Sequence, residues 1–377
     1  MAPLENVLVL DLTRAVAGPF CTMLLGDLGA RVIKIEEPGA GDETRNWGPP
    51  FLDGWSTYFL SMNRNKESVA VDLKSAEGRR LVEAIARKAD VVIENFKPGV
   101  AERLGIGAEA LRVGNPRLIY ASVSGFGQTG EQAQRPGYDI ILQAVSGSMH
   151  ASAPEGVDAV KVAFPVADIL AALFTGQAIL AALYAREKSG QGRRIEVSLF
   201  QGMLCAMSNL ATATLNTGND PRRVGVAQPN IVPYQLFHTQ DKPLIIGVTN
   251  ERLWRRFCVA LGQSDWADDP RFADNRLRNE NRDVLVALIE AVLRQRPAAY
   301  WQEQFDAAEV PCGQVVPLSE ALRHPHAGVL TVNHDQLGQV SFPENPMRLS
   351  DHEHRASPPQ PLGKDTAAVT AEFLAIM

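Results

Sequence analysis

Short, nearly unbroken apolar blocks recur through the first third of the chain. "VLVLDL" (7–12), "RVIKIE" (31–36), "SVAVDL" (68–73), "DVVIENF" (90–96) and "RLIYASVSG" (117–125) each have the length and β-branched content of a strand covered on both faces. Between them, "GPFCTMLLGDLGA" (18–30) and "AEGRRLVEAIARKA" (76–89) carry helical spacing, and a short helical stretch precedes the last strand. Strand and helix in alternation predict an α/β fold with a doubly wound, mostly parallel, Rossmann-like sheet. Ligands of such sheets bind beyond the carboxyl ends of the strands, here Thr13–Ala17, Glu36–Gly39, Asp72–Lys74, Asn95–Gly99 and Ser124–Gly127.

The pattern changes after residue 165. The uncharged run "ILAALFTGQAILAALYA" (169–185) predicts a buried helix, slightly short of the ~20 residues needed to span a bilayer. The turn "SGQGRR" (189–194), the strand "IEVSLF" (195–200) and an apolar helix to about Leu215 follow, with Phe200–Met207 read as core packing. Residues 216–235 are rich in Gly, Pro and Asn and mark a linker. "PLIIGVTN" (243–250), "ERLWRRFCVALG" (251–262) and "NRDVLVALIEAVLRQRP" (281–297) predict a smaller α/β domain. The expected division is a large domain over 1–215, the linker, a small domain over 236–330, and a Pro-rich return to the large domain over 331–377.

Composition narrows the classes. The chain of 377 residues is 45% hydrophobic and 21% charged, with net charge −6, which excludes a general nucleic-acid binder. Cys21, Cys205, Cys258 and Cys312 are far apart and suggest neither a disulfide framework nor a cysteine zinc site. No basic segment followed by an apolar core opens the sequence. The expectation is a cytoplasmic protein with free thiols and no membrane partner.

One carboxylate stands out. Asp168 is the last charge before the long apolar run, where an Asp most often serves as an N-cap; the alternative is a nucleophile kept ionised by the helix's first N–H groups. "GFGQTG" (125–130) matches a dinucleotide fingerprint, but the polar, Pro-broken "EQAQRPGYD" after it cannot open the required helix. "HPH" (324–326) and "HEH" (352–354) lack the helical spacing of metal ligands, so no metal site is expected. Despite the acidic total, Arg14, Lys74, Lys97, Arg103 and Arg135 place cations at or near the strand ends.

Longer motifs carry a resemblance. "AVAGPFCTMLLGDLGARVIKIEEPGAGDETR" (15–45), "NRNKESVAVDLKSAEGRRLVEAIARKADVVIENFKPGVAERLG" (63–105), "RPGYDIILQAVSG" (135–147), "DILAALFTGQAILAALYAREKSGQGRRIEVSLFQ" (168–201) and "PPQPLG" (358–363) resemble, in order, class III CoA-transferases of the formyl-CoA and carnitine CoA-transferase group. The resemblance implies Asp168 as nucleophile, attacking an acyl-CoA thioester to give an aspartyl anhydride, then an aspartyl-CoA thioester that passes CoA to a small carboxylic acid. A carboxylate with an ordinary pKa near ~3.9 needs no general base for this, and backbone N–H groups of glycine-rich turns are the expected oxyanion donors. It implies CoA as a substrate rather than a permanent cofactor. The CoA contacts it implies fall on Val16, Ala17, Val71, Asp72, Leu73, Lys74, Asn95, Phe96, Lys97, Arg103, Arg135, Tyr138 and Asp139. It further implies an interlocked homodimer.

Departures from that pattern matter. Glu37 stands where formyl-CoA transferases carry Arg, which points to Arg45 as a replacement contact. Their glycine run over the nucleophile has no counterpart; the matching region is "RVGVAQPNIVPY" (223–234), with Gln228 where relatives show His. This puts oxalate and formate in doubt, and Arg222 and Arg223 are candidate clamps for a dicarboxylate. Related racemases carry "GHD" where this chain has "GYD" (137–139); a Tyr is a poor proton acceptor at neutral pH, which favours transfer over racemisation. A silent acyl-CoA-binding protein is the reading from another class.

Overall fold

The structure is a computed structural model and describes residues 2–351 and 356–374; the "HEH" stretch falls outside them. Six strands form one parallel sheet: β1 (Leu8–Asp11), β2 (Arg31–Glu36), β3 (Lys66–Ala70), β4 (Val91–Glu94), β5 (Ile119–Ser124) and β6 (Arg194–Ser198). Their spatial order is β3-β2-β1-β4-β5-β6. The order reverses between β1 and β4, so the loops leaving those two strands part and open a crevice.

Period-two alternation explains why the strands read as continuous apolar blocks. Val9, Val32, Val91, Ile93, Ile119 and Ala121 face one core, while Leu10, Ile33, Val92, Leu118 and Tyr120 face the other, all nearly inaccessible. Helix α1 (Ala17–Asp27) and the long helices of the chain's middle cover the first face. Helix α2 (Ala76–Ala86), through Leu81, Val82 and Ile85, covers the second together with Val369 and Phe373 of the C-terminal helix Thr366–Leu374.

The third strand is shifted relative to the sequence expectation of 68–73: it runs Lys66–Ala70 and ends before Val71. Lys66, 5% exposed, is the reason the boundary was hidden, because its ammonium turns into the fold to meet Asp11 rather than marking a loop. Helix α3 (Asp139–Val145) follows β5 across an irregular segment, and α4 spans Val166–Ser189, ending on Gly190 in the left-handed region at φ 70. Its Ala167, Ala171, Ala172 and Ile179 are buried against α1, while Leu173, Leu180 and Tyr184 stay exposed. The expected fully buried helix is thus buried on one side only. Among the described residues α4 is the one helix long and apolar enough to cross a membrane. The predicted helix after β6 is two, Leu199–Ala206 and Ser208–Thr217.

The chain divides into two compact units. The first holds the six-stranded sheet and comprises residues 1–148, 161–211 and 328–377; the second comprises 149–160 and 212–327. In the second, strands Tyr234–His238, Pro243–Gly247 and Cys312–Gln314 form an antiparallel sheet over a core of Trp254, Phe257, Phe272, Leu285 and Phe305.

Candidate active site

The crevice expected at the strand reversal is a cavity of about 410 Å³ lying within the first unit. One wall is the loop between β1 and α1. Ala15 sits there in the left-handed region at φ 63, a conformation that costs a non-glycine residue about 1–3 kcal/mol. The neighbours hold it. Asn95 accepts from Arg14 N–H (3.0 Å) and donates to Arg14 C=O (2.7 Å), and Asp42 Oδ1 accepts from Ala15 N–H (3.2 Å). Asp42 is in turn paired with the buried Lys34 (2.8 Å), whose ammonium also donates to Thr13 C=O (2.7 Å). Burial alone would raise the Asp11 carboxyl beneath this loop. The ammoniums of Lys66 and Lys34 and the Thr13 and Thr22 hydroxyls outweigh it and bring Asp11 down to about 2.

The opposite wall is set by backbone contact. A Cβ on Gly137 would lie 2.4 Å from Gly125 Cα, and one on Gly125 would lie 2.6 Å from Gly137 Cα. Only glycine fits at both. This is the use the chain makes of the "GFGQTG" glycines: Gly125 packs on Gly137, and Gly127 and Gly130 turn the chain at φ 100 and 93, with no helix following. The contact fixes Tyr138 and Asp139 at the head of α3.

Asp139 takes the capping role that position alone offered to Asp168. Its Oδ1 accepts the N–H of Ala167 at 2.8 Å, so the first turn of α4 is capped from another helix, while its Oδ2 accepts from the buried Gln143 at 2.7 Å. The boundary residue of α4 is Pro165 and gives no side-chain cap; Asp168 lies three residues inside. Asp168 is therefore not the N-cap, and among the described residues its carboxylate accepts no hydrogen bond. Burial first, and the Asp139 charge second, push its pKa up to about 7. That departs from the expectation of an acid held ionised by helix N–H groups: the carboxylate accepts none of those bonds and burial opposes its charge.

Val16, Ala17, Asn95, Phe96, Lys97, Arg135, Tyr138 and Asp139 line the same cavity as Asp168. Val71, Asp72, Leu73, Lys74 and Arg103 do not. Val71 and Leu73 pack on the second core beside Phe96, and Asp72, Lys74 and Arg103 are exposed. The expected roles of two others change. Both Asp139 oxygens are spent inside the protein, and Asn95 holds the Arg14 backbone, so each shapes the site through its neighbours.

Arg45 is not free to replace an arginine at position 37. It grips Glu36 through two bonds of 2.7 Å and lies 3.8 Å over the Phe59 ring. In the second unit, Arg222 pairs with Asp283 (3.5 Å), Arg223 donates to Pro154 and Val157 carbonyls, and Gln228 N–H donates to Tyr234 C=O (2.9 Å). His324 and His326 are exposed, their rings 5.5 Å apart.

The lining also includes Glu43, Trp47, Tyr58 and Lys161, which sequence reasoning did not single out. Asp42 caps the short turn Glu43–Asn46 and so brings Trp47 edge-on to Tyr58 with ring centroids 5.0 Å apart. Burial, then the Asp168 and Asp139 charges, raise the Tyr58 phenol above its ordinary value, which keeps it a hydroxyl donor beside the two acids. The stretch between β2 and β3 has no strand or long-helix periodicity to place these residues.

A cavity at the reversal of a parallel sheet, cationic at its strand ends, holds an unpaired acid on a capped helix, an arrangement suited to an anionic ligand. Residues 4–366 match CoA-transferase family III. The chain is 40% identical to the succinyl-CoA:glutarate CoA-transferase of Mus musculus over 99% of its length and 87% of that protein. It is 41% identical to the acetyl-CoA:oxalate CoA-transferase of Acetobacter aceti over 99% of its length and 96% of that protein. A CAIB/BAIF family protein from Brucella suis shares the fold at a TM-score of 0.85 and 36% identity, covering 98% of this chain and 99% of that one. The chain belongs to CoA-transferase family III and is a CoA-transferase.

Proposed function

We propose that the protein moves CoA from an acyl-CoA donor to a small dicarboxylic acid through covalent intermediates on Asp168. The observation that carries this reading is that Asp168 faces the cavity with no hydrogen-bond partner among the described residues, its capping duty being done by Asp139. A half-buried carboxylate left without a hydrogen-bond partner fits a nucleophile.

In the proposed sequence, ionised Asp168 attacks the thioester carbonyl carbon, the C–S bond breaks, and CoA thiolate leaves an aspartyl-acyl anhydride. The thiolate attacks the aspartyl carbonyl and releases the donor acid, giving an aspartyl-CoA thioester. The acceptor carboxylate then displaces the thiolate to form a second anhydride, and the thiolate takes the acceptor acyl group and regenerates Asp168. Lys97 and Arg135, on loops leaving β4 and β5, are proposed phosphate partners. Tyr138, 62% exposed, presents a phenol where proton abstraction would want an imidazole, which supports transfer.

The dicarboxylate reading draws on relatives named for glutarate and oxalate. A relative named for oxalate at 41% identity supports keeping oxalate among the acceptor acids to be tried, against the doubt raised by the missing glycine run. We further propose a homodimer, because Leu173, Leu180 and Tyr184 leave an apolar stripe on α4 uncovered; Leu180→Asp is expected to give a monomer in solution. The four free cysteines fit a reducing compartment such as the cytoplasm.

Labelled CoA should exchange into acyl-CoA with no acceptor present, and Asp168→Asn should abolish both exchange and transfer. Exchange that survives in Asp168→Asn refutes the covalent reading.

A further inference from the structure

The cations of the cavity differ in origin. Arg14, Lys97 and Arg135 stand on loops that leave the carboxyl ends of β1, β4 and β5, whereas Lys161 arrives on the segment that runs into α4 and its Asp168. Lys161 is exposed, and its ammonium donates to the carbonyl oxygens of Val162 (2.7 Å) and Ala163 (3.4 Å). It has no carboxylate partner among the described residues. Bonds to neutral carbonyls leave its full charge uncompensated, and a carboxylate would bind it more strongly than they do.

Its place relative to the nucleophile is fixed. Val162 N–H donates to Gln143 Oε1 (3.0 Å), Gln143 Nε2 donates to Asp139 Oδ2 (2.7 Å), and Asp139 Oδ1 accepts from Ala167 (2.8 Å). One Gln–Asp pair, its Gln143 buried, thus holds both the backbone beside Lys161 and the turn bearing Asp168.

We propose that Lys161 is a specificity-determining residue that takes the distal carboxylate of a dicarboxylic acceptor while the near carboxylate attacks the aspartyl-CoA thioester. The inference rests on the proposed role of Asp168. Lys161 makes and breaks no covalent bond; its ammonium exchanges the Val162 and Ala163 carbonyls for a carboxylate. A compact charge on a four-carbon stem suits acids of more than one length better than the rigid fork of an arginine.

Lys161→Met keeps the stem and removes the charge. With acetyl-CoA as donor, kcat/KM is measured for glutarate and for butyrate, alongside acceptor-independent exchange of labelled CoA. The expected result is a drop of about 30-fold for glutarate, mainly in KM, the size of a lost hydrogen bond to a charged group. Butyrate and CoA exchange stay within about twofold, and Lys161→Arg recovers part of the glutarate activity. Equal losses on both acceptors, a raised KM for acetyl-CoA, or no loss on glutarate overturns the proposal while leaving Asp168 untouched. No CoA exchange in the unaltered enzyme overturns the nucleophile and this proposal together.

Discussion

Replacing Asp168 by Asn should raise stability while removing activity, and the gain should depend on pH. The acid's pKa is about 7 in the folded chain against an ordinary 3.8. The folded state therefore holds the proton more tightly than the unfolded one. Between those two pH values stability falls as pH rises; the penalty is absent below 3.8 and complete above 7. At about 1.4 kcal/mol per pH unit the span amounts to roughly 4 kcal/mol, and partial contact with water reduces it to about 2–4 kcal/mol. Asparagine mimics the neutral acid, and Asp139 keeps the helix capped. Urea unfolding of both proteins, at equal concentration, should show Asp168→Asn more stable by that amount at pH 8. The advantage should shrink steadily toward pH 4. A variant less stable than the parent would restore the capping role, and a gain independent of pH would refute the burial argument.

Other outcomes follow from the same geometry. The kcat/KM for acyl-CoA should fall on the acid side with a midpoint near 7, reaching about a tenth of its plateau at pH 6; a profile flat down to pH 5 contradicts it. Gly137→Ala drives a Cβ into the Gly125 backbone, so acyl-CoA KM should rise at least about tenfold with secondary structure unchanged by circular dichroism. Arg45→Ala leaves Glu36, 1% exposed at its side chain, buried without its partner; unfolding free energy should drop by about 3–5 kcal/mol, read by urea titration.

The sheet was legible because its strands are buried on both faces, so Val9 and Leu10 or Val91 and Val92 both read as core. The loops after β1, β4 and β5 followed from the sheet rule, and with them Val16, Asn95, Lys97 and Arg135. Asp168 was singled out by its isolation in an apolar run, but its freedom was not visible. That depends on Asp139 reaching Ala167, a contact 28 residues apart. Trp47 and Lys161 come from irregular segments, whose direction is set by Asp42 and Gln143 rather than by any local periodicity, and Tyr58 from a helix of six residues, Thr57–Met62, too short to show one. The start of β3 was misread because Lys66, normally a surface residue, is neutralised inside by Asp11.

The Gln143–Asp139 pair has a bearing on how such an enzyme changes its menu of acids. Side chains at 161 through 163 hang from the same peg as the turn that bears Asp168, so lengthening or shortening that strap shifts Asp168 along with them. On the roles proposed for Lys161 and Asp168, retargeting is expected to act through the identity of the groups displayed there, with the span between them held constant.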